Sequence, residues 1–191
     1  MAILSSEFKL RSQEADGALL AGQLLAVERD WTGAEKSLKQ AAEVHGKLGH
    51  RRRESAALLE LASLKLGREL YDEALKFASK GQITAEEVKA LDLQVRALTL
   101  KGEIHRFHKG GNEEKASEFL QKALELGQNV GDAGVLFQLF YARAKLFHAQ
   151  REFSEAANYY GKAELILKKV GDELTDDLSA RFFEDKRRKV F

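Results

Sequence analysis

An all-α fold is predicted by three observations. Proline is absent from all 191 residues, where average usage is about 5%, and few β-rich chains manage without it. Apolar residues recur at spacings of three and four, as in Leu58, Leu61, Leu64 and Leu66 or Leu136, Leu139, Phe140 and Phe147, while alternating runs are missing. Small residues also return in register: the anchors Ala34, Ala74, Ala116 and Ala156 lie 40, 42 and 40 residues apart. A period of that size marks stacked supersecondary units, because one helical hairpin cannot bury its apolar face alone whereas several stacked hairpins can.

The first hairpin, about residues 14–48, carries Ala18 and Gly22 on its first helix and then "WTGAEKSLKQA", with Trp31, Ala34, Leu38 and Ala41. The second, about 54–90, repeats the pattern with Leu58 and Ala62, then Tyr71, Ala74, Ala78 and Gly81 in "YDEALKFASKG". In the third, about 94–130, Gly102 stands fourteen rather than twelve residues before its anchor, and the turn "KGGN" at 109–112 takes up the extra pair. Its second helix, "EEKASEFLQKA", has Glu113 where the others have an aromatic, followed by Ala116, Leu120 and Ala123. The fourth, about 134–170, has Phe140 and Ala144, then Phe153, Ala156, Tyr160 and Ala163 in "EFSEAANYYGKA". Facing small residues let two helix axes approach, and the aromatic at the start of the second helix plugs the gap at the turn.

Punctuation follows the same period. "VGD" occurs at Val130–Asp132 and forty residues later at Val170–Asp172, with "LGH" at Leu48–His50 in the equivalent place. Glycine as a helix C-cap followed by aspartate as an N-cap is a stop and restart signal. Beyond it, "ELTDDLSARFFEDKRRKVF" sets Leu174, Leu178 and Phe182 on one stripe, which predicts a capping helix over 173–190 that covers the last hairpin. The whole chain, 1–191, is expected to form a single domain.

Thirty-one basic residues against 30 acidic ones leave a net charge of +1, so no global field draws the chain to nucleic acid or an anionic membrane. The lack of cysteine excludes disulfides, thiolate catalysis and cysteine-ligated zinc, and fits a reducing compartment; the expected location is the cytoplasm. "MAILSSEFKLRSQE" lacks a secretory apolar core, and no stretch reaches the ~18 apolar residues of a membrane helix, so no membrane partner is expected.

No catalytic constellation is legible. His105 and His108 sit at i and i+3, close enough on a helix to share an ion, but a third ligand is not evident and no metal site is assigned. The basic runs His50–Glu54 and Asp185–Lys189 are short and flanked by acids, which reads as solvated helix ends. "KGG" before Asn112 lacks the GK[ST] ending and preceding strand of a phosphate loop, so no nucleotide or other cofactor is expected.

The register of small and aromatic residues over roughly 14–170 resembles the tetratricopeptide repeat family in its 40 to 42 residue variant. The resemblance implies a right-handed α-solenoid of about four helix-turn-helix repeats and a non-enzymatic role: binding a peptide or helix of a partner protein on the concave face. It is compatible with the chain being part of a larger regulator. In that family the first helix of each hairpin lines the groove. Carried over by phase, this nominates Gln23, Ser63, Glu103 and Lys145 one residue after the small packing position, and Thr99 and Tyr141 three before it. Six before it stand Arg96 and Gln138, and four after it Arg106 and His148. Arg96, Arg106 and Lys145 would pair with carboxylates of the peptide and Tyr141 would supply a rigid contact. None of the nominated positions is the asparagine that the family's carboxylate clamp uses, so that ligand is not expected. Self-association through apolar residues of the cap, such as Phe182 and Phe191, is the second reading. Single-stranded RNA binding through Arg51–Arg53 and Lys186–Lys189 is the third and is disfavoured by the charge balance.

Overall fold

The computed structural model describes the backbone of residues 2–188 and the side chains of residues 7–108 and 110–172. Among the described residues all regular structure is helical: α1 Ala2–Val27, α2 Trp31–Lys47, α3 Arg51–Gly67, α4 Tyr71–Glu87, α5 Leu91–Phe107, a 3-10 turn His108–Gly110, α6 Glu113–Gly127, α7 Ala133–Ala149 and α8 Phe153–Arg188. The chain divides into two compact units, Met1–Val130 and Gly131–Phe191, where the sequence predicts one domain. The first holds three stacked hairpins and the second holds one.

In the first unit each helix packs on the next, and α3 additionally touches α1 and α5. The first helices of the hairpins therefore form one layer and the second helices the other. The seam between them is as tight as the small residues demand. A Cβ on Gly22 would lie 2.6 Å from Leu38 Cγ, and one on Gly102 would lie 2.6 Å from Leu120 Cγ, so only glycine lets these helix pairs reach their spacing. Ala62, at the equivalent place, is fully buried. Around these contacts Ala34, Leu38, Ala41, Ala57, Leu58 and Leu61 form one apolar cluster, and Leu59, Ala74, Ala78, Ala97 and Ile104 form another.

Most turns share one device. The backbone N–H groups of Asp30, His50, Leu70, Ala90 and Glu152 each bond back to the carbonyl five residues earlier, closing the preceding helix. The residue before each has positive φ: Arg29 (64°), Gly49 (72°), Glu69 (59°), Lys89 (53°) and Arg151 (64°). Four of the five are not glycine. The expected glycine stop thus operates at Gly49 but not at Gly131, which is outside the left-handed region; there α6 ends at Gly127, and only the aspartate half of "VGD" acts as expected, Asp132 Oδ1 accepting from Val135 N at 2.9 Å. The "KGGN" turn absorbs the two extra residues. Gly110 and Gly111 both take positive φ, and Asn112 caps α6 by accepting from Lys115 N at 2.8 Å.

Both ends of the array depart from the expected boundaries. Helix α1 begins at Ala2 rather than near residue 14, since no glycine or other breaker interrupts residues 2–16. At the other end α8 runs unbroken through Val170, Gly171 and Asp172 to Arg188, so no separate helix starts at 173. Gly171 keeps helical geometry. An interior glycine costs a helix about 1 kcal/mol, and α8 carries it without breaking. The covering role expected of Leu174, Leu178 and Phe182 falls outside the described side chains.

Candidate peptide-binding face

Helices α1, α3 and α5 lie side by side in the first unit, and a polar chain crosses all three. Gln23 Nε2 on α1 donates to Glu60 Oε1 on α3 at 2.6 Å, and a guanidinium N–H of Arg96 on α5 reaches the same oxygen at 2.9 Å. Glu60 sits on none of the nominated phases; its partners are 37 and 36 residues away, so no local pattern announces it. The carboxylate compensates Arg96, which the sequence expected to be available for a peptide's carboxylate.

The remaining nominated residues of this unit divide by phase. Ser63 is exposed on α3, and Glu103 is half-buried on α5. Thr99 is a correction: it is 2% exposed and its hydroxyl donates to Val95 O at 2.8 Å. Leu59 at the same phase of α3 is 0% exposed, so three residues before the small packing position points into the core of this unit and not onto an open face. Arg106, at the end of α5, lays its guanidinium over the Phe107 ring at 4.1 Å, and its buried Nε has no hydrogen-bond partner among the described residues.

In the second unit, Gln138, Tyr141, Lys145 and His148 all belong to α7. Tyr141, 42% exposed, stacks on Phe137 with centroids 5.8 Å apart and meets Tyr160 at the same distance. Lys145 Nζ lies 4.8 Å from the Tyr141 centroid, a cation–π contact, and His148 meets Phe153 edge-on at 5.6 Å.

Other candidate chemistry resolves into structure. His105 stacks on Phe119 while His108 Nε2 contacts Asp72 Oδ1 at 2.8 Å, their rings 6.4 Å apart and perpendicular. Among the described residues no three His, Asp or Glu side chains are placed to hold a metal ion. The run Arg51–Arg53 is spent on ion pairing: Arg51 with Glu54 on the same helix at 2.8 Å, Arg52 with Asp92 of α5 at 2.5 Å and Arg53 with Asp16 of α1 at 3.3 Å. The run Asp185–Lys189 lies outside the described side chains.

Two buried ionisable groups escaped the sequence reading. Lys65 Nζ, on a side chain 4% exposed, bridges Glu35 and Glu73 at 2.8 Å each. Hydrogen bonds from Lys39 and Lys65 hold the Glu35 carboxyl down at about 2. His45 is fully buried, and burial lowers its pKa even though the Asp16 carboxylate pulls the other way. Asp16 Oδ1 is 3.3 Å from Nε2, yet neither ring nitrogen is aligned for a hydrogen bond.

No protein-family model matches the chain, and no curated protein does. The chain is similar in structure to aspartyl phosphate phosphatase F from Bacillus subtilis, known from a crystal structure, with a TM-score of 0.70 at 18% identity. The match covers 85% of this chain but 42% of that one, so the chain spans less than half the length of its structural relative. At this identity the likeness establishes a shared helical fold. Among the described residues no helix is long and apolar enough to cross a membrane.

Proposed function

We propose that the chain is a tetratricopeptide-type, non-catalytic interaction module that binds a peptide or helix of a partner protein along the first helices of its hairpins, in the cytoplasm. The observation that carries this reading is the layer formed by α1, α3 and α5, where Gln23, Glu60 and Arg96 join three hairpins at one surface and Arg106 keeps an unsatisfied buried Nε. A guanidinium with spare donors held over an aromatic ring suits a carboxylate, so the bound segment carries an acidic residue opposite Arg106. Pairing of Arg51, Arg52 and Arg53 with carboxylates weighs against the RNA reading. The absence of cysteine fits a reducing compartment.

Peptide display against the purified chain tests the reading, with Arg106→Glu and Tyr141→Ala in parallel. A shared acidic motif that Arg106→Glu loses by tenfold or more supports it. Enrichment of no motif, with the variants folded, sinks it.

A further inference from the structure

Internal repetition identifies a second surface, an apolar stripe along α1. The positions Gly17, Ala57 and Ala97 are equivalent, each forty residues from the next, as are Leu24, Leu64 and Ile104. On α3 and α5 these residues are buried: Ala57 and Ala97 at 0%, Leu64 at 5% and Ile104 at 0%. What covers them is helical. Ala57 and Leu64 pack in the cluster that contains Ala34, Leu38 and Ala42 of α2, and Ala97 and Ile104 in the one that contains Ala74, Ala78 and Ala85 of α4. On α1 the same face is open. Leu24 is 59% exposed, and it continues a stripe with Leu10 (56%), Leu20 (66%) and Val27 (80%). Among the described residues nothing approaches within 4 Å of where a Gly17 Cβ would stand.

We propose that this stripe is the dimer interface of the protein, occupied by α1 of a second copy running antiparallel. Four of the five stripe residues, Leu10, Gly17, Leu20 and Val27, pair with one another about a point between residues 18 and 19, and Leu24 falls opposite Gln13. A two-fold axis there sets Leu10 against Val27 of the other copy, Gly17 against its Leu20, and Lys9 against its Glu28, each pair occurring twice. Gly17 leaves the space that the opposing Leu20 fills. Lys9 and Glu28 have no ion-pair partner among the described residues, and the antiparallel arrangement supplies both with one. A parallel arrangement would set like charges side by side at each end. Paired from residue 10 to 27, the two helices meet along about 27 Å at 1.5 Å per residue, and no charged residue lies on the stripe at Leu10, Gly17, Leu20, Leu24 or Val27. Gln23 stands three residues after Leu20 and four before Val27, so the seam borders the α1 edge of the proposed peptide face.

Sedimentation of the full chain across concentrations up to the high micromolar range tests the proposal, with Leu24→Glu alongside and thermal melts to verify folding. The expected result is a reversible dimer that Leu24→Glu weakens by ~100-fold without lowering the melting temperature, since a charge would be buried in an apolar seam. Because the chain has no cysteine, a Leu10→Cys/Val27→Cys variant gives an independent reading of register. The two sulfurs are about 25 Å apart within one helix, too far for an internal disulfide, so mild oxidation should yield a covalent dimer. A concentration-independent monomer overturns the proposal. So do open-ended oligomers, a dimer indifferent to Leu24→Glu, or a dimer whose paired cysteines fail to link.

Discussion

Hairpins α3–α4 and α7–α8 carry the same small-residue anchors but are filled by different chemistry. In both, the anchors vanish from the surface: Ala62 and Ala74 are 0% exposed, Ala144 0% and Ala156 2%. Between α3 and α4 the seam is aliphatic, Leu59 against Ala78 and Gly81, and its rim is ionic through Lys65, Glu35 and Glu73. Between α7 and α8 it is aromatic: Tyr159 stacks on Phe147 at 5.6 Å and meets Phe140 at 6.1 Å, with the Arg143 guanidinium 5.2 Å from the Tyr159 centroid. The register sets how closely two helices approach. What fills the space depends on neighbours. Lys65 can be buried only because Glu35, from the preceding hairpin, meets it, whereas large rings complete the α7–α8 seam from within one hairpin.

The comparison breaks most sharply at Leu59. Leu59→Ala empties a fully buried site beside Gly81 and should cost about 3 to 4 kcal/mol, read from urea midpoints. Leu165→Ala, on the 67% exposed side of α8, should change stability by less than about 0.5 kcal/mol. Equal losses would mean that the aliphatic seam is not what holds the first unit. On the aromatic side, Tyr159→Ala removes one ring stack, one tilted ring contact and the Arg143 contact from a half-buried site, and a loss of about 2 kcal/mol is expected in the same assay.

The ionic rim is tested by Glu35→Gln. Lys65 keeps Glu73, so the cost near neutral pH should be about 1 to 2 kcal/mol. The folded carboxyl titrates at about 2 and its unperturbed counterpart at 4.5. The native state therefore holds fewer protons between those values, and the stability from Glu35 is complete above pH 4.5 and drains away as pH falls toward 2. Midpoints at pH 7 and pH 3 should differ less in Glu35→Gln than in the parent; an unchanged difference would remove Glu35 from the acid response.

His45 gives a milder effect at higher pH. Burial lowers its folded pKa below 6.5, so the folded state resists protonation; its contribution is intact above about pH 6.5 and declines as pH drops below that value. His45→Leu should flatten the fall in melting temperature between pH 7 and pH 5, and a parallel fall in both proteins would contradict this. The last expected change is a gain. Glu69 holds φ at 59°, a left-handed conformation that costs a side-chain-bearing residue about 1 kcal/mol, and Glu69→Gly should recover roughly 0.5 to 1 kcal/mol. A loss would mean that the Glu69 side chain does more at that turn than the backbone strain suggests.

The hairpins are legible in the sequence because the seam admits only small residues, and a position that tolerates nothing larger writes itself into every repeat, as at Gly22, Ala62, Gly102 and Ala144. Phase arithmetic places Gln23 and Arg96 on the first helices but cannot find Glu60, whose partners are supplied by other hairpins, nor can it tell that Thr99 turns inward to the core. The sequence pattern likewise predicts a stop at Gly171 that the structure does not have. A glycine ends a helix only where the chain has somewhere to turn, and at Gly171 the helix continues.

By itself, then, the sequence determined helical class, hairpin register and the extra length of the "KGGN" turn, because 3.6-residue periodicity, close approach and positive φ are local demands. Tertiary structure alone decided which charges are buried and paired, which phase faces the core and which flank of α1 stays uncovered. Those depend on residues thirty or more positions apart meeting in space, and a one-dimensional pattern does not encode the meeting.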